Sequence, residues 1–138
     1  MKKYYAAIDT NVIVAALLSS LDDSAVVQIF RMIINSTIIP LYSNKIINDY
    51  KDVLMRKKFS FDEVFINYII SLIINNGIEI EPKPSGLKFA DMKDLIFYEV
   101  VLEKKDDGAR LITGNKKHFP ADPIVVTAAE FLKIINEE

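Results

Sequence analysis

Five short apolar stretches alternate with helical stretches along this chain, and that alternation constrains its fold more than any other feature. Residues 4–8 (YYAAI), 36–43 (STIIPLYS), 78–81 (IEIE), 109–113 (ARLIT) and 123–127 (PIVVT) read as strands. Pro40 is placed near the edge of the second. The intervening stretches carry helical spacing. Residues 12–18 and 25–34 are the first two helices. Residues 44–57 put Ile46, Ile47, Tyr50, Val53 and Leu54 on one face. The next helix is capped near Ser60 or Asp62 and ended by Asn76-Gly77. Residues 91–105 and 128–138 complete the set, and PKPSG (82–86) is the one Pro/Gly-rich loop. Strands alternating with helices predict a three-layer α/β/α sandwich around a central, mainly parallel sheet of about five strands. No repeat, low-complexity tract or long linker divides the chain, so one domain is expected over residues 1–138.

Composition narrows the function classes. With 51% hydrophobic and 26% charged residues the chain has enough apolar material for a core, which argues against disorder. Its 17 basic and 19 acidic residues leave a net charge of -2. That balance predicts neither a strongly basic nucleic-acid wrap nor a polybasic membrane patch, so any contact with a polyanion must be local or helped by a metal. Cysteine is absent, which excludes thiolate metal sites, disulfides and cysteine nucleophiles and is compatible with a cytoplasmic location. No apolar run reaches the roughly 18 residues of a membrane span. FINYIISLII (65–74) reads instead as a buried helix, and MKKYYAAI lacks the features of a signal peptide.

In parallel α/β sheets ligands bind at the carboxyl ends of the strands, so the residues that close each strand matter most. The first strand ends at Asp9-Thr10-Asn11 and the fourth at Thr113-Gly114-Asn115. Asp49 lies in the helix after the second strand, at the flank of its apolar face, whereas Asp52 points further toward solvent. Asp91 and Asp94 open the helix before the fourth strand. Each acid has a purely structural alternative. Asp9 could cap a helix, Asp49 could be a solvated helix acid, and Asp91 with Asp94 could form a capping arrangement. Clustering favours chemistry, because converging carboxylates repel unless a proton or a cation intervenes. Hard oxygen donors, with no cysteine and a single histidine, suit Mg2+ or Mn2+, which serve phosphoryl chemistry. Lys116 and Lys117 directly follow the fourth strand and are weak candidates for a phosphate backbone; solvated loop lysines are the alternative. His118 is assigned to a surface or loop role, Arg56-Lys57-Lys58 to compensation of a helix dipole, and the Tyr and Phe residues mostly to the core. No Walker loop, GxGxxG or nucleophile elbow is present.

AIDTNVIVAALL, IINDYKDVL, DMKDLIFYEVVL and ARLITGNKKHF occur in the order seen in PIN domains, and over about residues 4–130 the chain resembles that family of metal-dependent ribonucleases. The closest flavour is the toxin component of VapC-like toxin–antitoxin pairs. The resemblance implies Asp9, Asp49 and Asp94 as metal-binding acids, Asn115 as the fourth catalytic position, and Thr10, Asn11, Asp91 and Thr113 as support. Asp49 stands where the family usually has Glu, and Asn115 replaces one common form of the last acid. The implied activity is hydrolysis of RNA phosphodiester bonds by water activated with Mg2+ or Mn2+. The implied partners are an RNA substrate, a cognate antitoxin and a second copy in a homodimer, in the cytoplasm and away from membranes. The two departures motivate a second reading, a weak or inactive PIN-like module that binds RNA or protein. A receiver-type phosphoacceptor is a third, but DTN lacks the acid pair that it needs.

Overall fold

The computed structural model describes residues 2–137. Its strands are β1 (Tyr4–Ile8), β2 (Ile38–Tyr42), β3 (Ile78–Glu79), β4 (Arg110–Ile112) and β5 (Val125–Val126). They form one five-stranded sheet in the order β3-β2-β1-β4-β5, with every pairing parallel. The chain builds outward from β1 to one edge, then crosses back and builds outward to the other. The reversal falls between β1 and β4, where doubly wound sheets open a crevice beyond the strand ends.

Helices α1 (Thr10–Leu18) and α2 (Ala25–Ile34) join β1 to β2, and α3 (Asn44–Leu54) and α4 (Glu63–Asn76) join β2 to β3. Helix α5 (Met92–Glu103) crosses from β3 to β4, and α6 (Ala128–Asn136) follows β5. Right-handed crossovers running in opposite directions put α5 on the face away from the α1–α2 connection. Accordingly α5 packs on β1, β2 and β4, while α2 packs with α1, α4 and α6. The three-layer expectation holds. Ala6 and Ala7 at the centre of β1 are fully buried, so their small side chains let both helical layers approach the middle strand.

Local differences from the sequence reading have local causes. Helix α1 starts at Thr10 rather than residue 12, because Asp9 already occupies the N-cap position. Helix α3 stops at Leu54, and Lys57–Phe59 form a separate 3-10 turn. Strand β3 is only two residues long, although the Ile80 amide still donates to Tyr42 O at 2.7 Å. The closing helix ends at Asn136 with Glu137 as its C-cap, short of the expected 138; Glu138 itself lies outside the described residues. Pro40 sits in the middle of β2 rather than near its edge, between two partner strands. Alternate residues of a strand bond to opposite sides. Thr37 O accepts from Tyr4 on β1, while Tyr42 O accepts from Ile80 on the β3 side. Pro40, two residues from Tyr42, therefore faces β3, whose register begins only at Leu41↔Ile78. Its missing N–H falls just short of that ladder.

Helix α4 is not the buried helix expected. Ile66, Ile69, Ile70 and Ile73 are buried, but Phe65 and Tyr68 are exposed on its other face.

Candidate active site

Among the described residues the buried polar side chains are Asp9, Thr10, Ser43 and Thr113. All four lie at the carboxyl ends of β1, β2 and β4, the end at which the crevice opens. Burying a polar group is unfavourable without hydrogen bonds, and this sheet concentrates them in one place. Ser43 is explained locally, since its Oγ accepts from the Ile46 amide and caps α3.

Asp9 is 7% exposed. It occupies the N-cap position of α1, but its side chain makes no capping hydrogen bond. Its Oδ2 instead accepts from Thr113 Oγ1 at 2.7 Å, across the β1–β4 boundary. The same Thr113 Oγ1 accepts from the Asn115 amide at 3.0 Å, so the turn after β4 and the Asp9 carboxylate share one hydroxyl. Burial pushes the Asp9 carboxyl up to about 6. The Thr113 hydrogen bond opposes that rise, and the charges of Asp94 and Asp49 add to it.

Helix α3 is docked on this strand end by adjacent residues. Thr10 Oγ1 donates to Asp49 Oδ2 in a short hydrogen bond. Tyr50, fully buried, donates from its hydroxyl to Ile8 O at 2.5 Å. That carbonyl faces the β2 side, where the β1–β2 register has already ended at Ala6↔Pro40, so Tyr50 takes the place of the next ladder bond. The sequence reading gave Tyr50 only a core position. A buried tyrosine needs a partner for its hydroxyl, and that signal marks it as more than filling.

Asp91 and Asp94 part ways. Asp91 is exposed, and its Oδ1 accepts from the Lys93 amide at 3.0 Å as the cap of α5. Asp94, with a side chain 16% exposed, lies 3.3 Å through Oδ2 from His118 Nδ1. Its carboxyl is raised by burial and by Asp91, lowered by His118 and raised again by Asp49. His118 Nε2 is 2.9 Å from Asn115 Nδ2. With that amide donating, Nε2 is the acceptor and the ring proton sits on Nδ1, toward Asp94. The histidine set aside as a loop residue thus links Asp94 to Asn115; its place three residues after Asn115, in a turn at a strand end, was the available signal. Asn11 Oδ1 accepts from the Gly114 amide at 3.4 Å and braces the same turn. Lys116 is turned to α6, with Nζ 3.1 Å from Glu130, whereas Lys117 lines a cleft with Asp94 and His118.

The structure therefore gathers Asp9, Thr10, Asn11, Thr113 and Asn115 at the β1–β4 boundary, with Asp49 and Asp94 acting electrostatically on Asp9 from α3 and α5. It leaves Asp91 as a cap and Lys116 in an ion pair. Among the described residues no three Asp, Glu or His side chains stand ready-made to hold a metal ion. In this arrangement Asp49 is engaged by Thr10 and Asp94 by His118. The donor chemistry itself fits a hard divalent cation: oxygen ligands, with the charges of Asp94 and Asp49 raising the Asp9 carboxyl and that of Asp49 also raising Asp94.

Fold and site together define a doubly wound α/β protein with an acidic crevice at its switch point. The sequence of residues 5–117 matches the PIN domain family. The chain belongs to that family, whose members are generally nucleases and usually use divalent metals. Its fold is similar to that in the crystal structure of PAE2754 from Pyrobaculum aerophilum, with a TM-score of 0.60 and 12% identity over 99% of this chain and 91% of that one. No curated protein matches the chain in sequence. Among the described residues no helix is long and apolar enough to cross a membrane.

Proposed function

We propose that this protein is a Mg2+- or Mn2+-dependent endoribonuclease acting at the crevice between β1 and β4. The observation that carries the reading is Asp9: a carboxyl buried at the switch point, held by Thr113 and burdened by the charges of Asp94 and Asp49. Without a cation such a group is held at an energetic disadvantage, which a ligand-binding site accounts for and a structural acid does not. Asp9 and Asp94 would hold the ion, and Asp49, which here accepts from Thr10, would contribute directly or through water. A bound Mg2+ or Mn2+ would polarise the scissile phosphate and favour ionisation of the attacking water. Thr113 fixes the Asp9 carboxylate. Tyr50 holds the Ile8 carbonyl and with it the end of β1. Asn115 and His118 orient Asp94 and the polar edge of the crevice.

The family resemblance supports a finer role as the toxin of a toxin–antitoxin pair, with a small antitoxin covering the crevice and a homodimeric toxin. The test begins with purified protein and a labelled single-stranded RNA in Mg2+ or Mn2+. Cleavage is expected from the unaltered chain and loss of cleavage from Asp9→Asn. Equal cleavage by both would place the activity elsewhere. For the toxin role, induced expression should halt growth in the unaltered form alone.

A second reading, an RNA- or protein-binding module without catalysis, is favoured by the engagement of Asp49 with Thr10 and of Asp94 with His118. It predicts no rise in melting temperature with divalent ions and no cleavage in any of them.

A further inference from the structure

Two clefts flank the first turn of α5, and each pairs one acid of the candidate site with lysines. On one side Asp49 shares a cleft with Lys45 and Lys93. On the other, Asp94 shares a cleft with Lys88, Lys117 and Phe89. Residues 92–93 line the first cleft and residues 91 and 94 the second, so one helical turn is a wall of both. Among the described residues none of these four lysines is in an ion pair. Most nearby acids are hydrogen-bonded to other groups. Glu99 accepts from the Ser85 amide at 2.7 Å, Asp91 from the Lys93 amide, and Asp49 from Thr10; Asp52 is exposed and lines the first cleft with Lys45 and Lys93, without an ion pair to either. In a chain with net charge -2, unpaired cations on both sides of an acidic crevice call for an anion that extends across it. A mononucleotide would reach the lysines of one cleft alone, whereas a strand of successive phosphates would reach those of both.

We propose that the two clefts are halves of a single path for an RNA strand, which crosses the first turn of α5 with its flanking phosphates at Lys45 and Lys93 on one side and at Lys88 and Lys117 on the other. The proposal rests on the nuclease reading above and deepens it by naming the residues that bind substrate on either side of the acids. The path takes a single strand, because the helical turn divides the clefts and Phe89 offers a ring on which an unstacked base can lie. Phe89 is held there by Phe119, edge-on at 5.8 Å, and by Tyr98 at 5.9 Å. The sequence reading chose Lys116 and Lys117 for this role; Lys117 keeps it, and Lys116 yields it to lysines brought in from α3, α5 and the loop before α5.

Binding is measured by fluorescence anisotropy with a labelled single-stranded oligoribonucleotide, in the Asp9→Asn background so that cleavage does not intervene. Three double variants are compared: Lys45→Gln/Lys93→Gln, Lys88→Gln/Lys117→Gln, and Lys57→Gln/Lys58→Gln as a control with the same charge change outside the clefts. Each cleft pair should weaken binding roughly tenfold at low salt and reduce the salt slope by about 1.4, two phosphates at roughly 0.7 each. The control should stay within about twofold of the parent. The path is overturned if the cleft pairs bind like the parent, if the control loses as much as they do, or if no saturable RNA binding occurs. It is also overturned if duplex RNA binds as tightly as the single strand. Polyglutamate serves as competitor; if it binds more tightly than RNA and discriminates the same variants, the clefts take an acidic protein segment instead. Cleavage by the chain with Asp9 intact is assayed separately, so a failed path with Asp9-dependent cleavage leaves the nuclease reading standing.

Discussion

Asp9 sets the energetics of the site. Burial pushes its carboxyl up to about 6 in the folded chain, from the ordinary aspartate value of about 3.8. The folded state therefore holds a proton that the unfolded state releases between those values. Its contribution to stability is full below about pH 3.8 and is lost as pH rises through about 6. At neutral pH without divalent ions the buried carboxylate costs up to about 3 kcal/mol, at roughly 1.4 kcal/mol per pH unit. Asp9→Asn keeps an oxygen for Thr113 to donate to and removes the charge. It should raise the melting temperature at pH 7 in EDTA and flatten the dependence of stability on pH between 4 and 6. A lower melting temperature in that variant would mean that the carboxylate is a net structural asset. The positions of Asp9 and Asn115 at the ends of β1 and β4 were legible because strand ends are readable, whereas the roles given to Asp49 and Asp94 came from the family resemblance and not from their spacing. His118 could not be placed, because its partner Asp94 lies 24 positions away in the chain and their meeting depends on how α5 docks.

Among the elements, α3 is the one that assembles the crevice. Tyr50→Phe removes the donor to Ile8 O and leaves a buried carbonyl without its partner. Denaturant unfolding should show a loss of about 1–3 kcal/mol, and metal-dependent cleavage should fall with it because the end of β1 is no longer tied to Asp49. Unchanged cleavage would separate α3 docking from the chemistry. At the far end of the α3–α4 connection, Gly77 turns α4 into β3. A Cβ there would lie 2.4 Å from Pro40 O and 2.7 Å from Ile73 O, both backbone atoms. Gly77→Ala should therefore destabilise by about 2 kcal/mol or more, read as a lowered urea midpoint. Most element types were legible, since period and turn residues are local properties. The boundaries of α3 and β3 were not, because neighbouring strands, rather than propensity, decide where pairing stops. The exposed side of α4 was also hidden, since Phe65 and Tyr68 are as apolar as the residues that are buried.

At the level of the whole molecule, three elements bring negative charge to one crevice, and folding is coupled to whatever neutralises it. A divalent ion that binds only the folded state should raise the melting temperature, by about 2.7 kcal/mol of stability at one hundred times its dissociation constant. Mg2+ or Mn2+ should do so for the unaltered protein, and Asp9→Asn should abolish most of the shift in the same differential scanning experiment. An equal shift in both would move the ion away from Asp9. The order of elements along the chain was enough to predict a parallel three-layer fold, because right-handed crossovers and short connections leave few alternatives. It was also enough to mark the ends of β1 and β4 as the place where buried polar side chains gather. Which side chains meet there was decided by tertiary structure. Thr113 reaches Asp9 across 104 positions, Thr10 reaches Asp49 across 39, and His118 rather than a capping bond takes Asp94. Strand and helix signals are carried by neighbouring residues, so the sequence displays them. Hydrogen bonds between distant residues arise only once packing has brought the strand ends together.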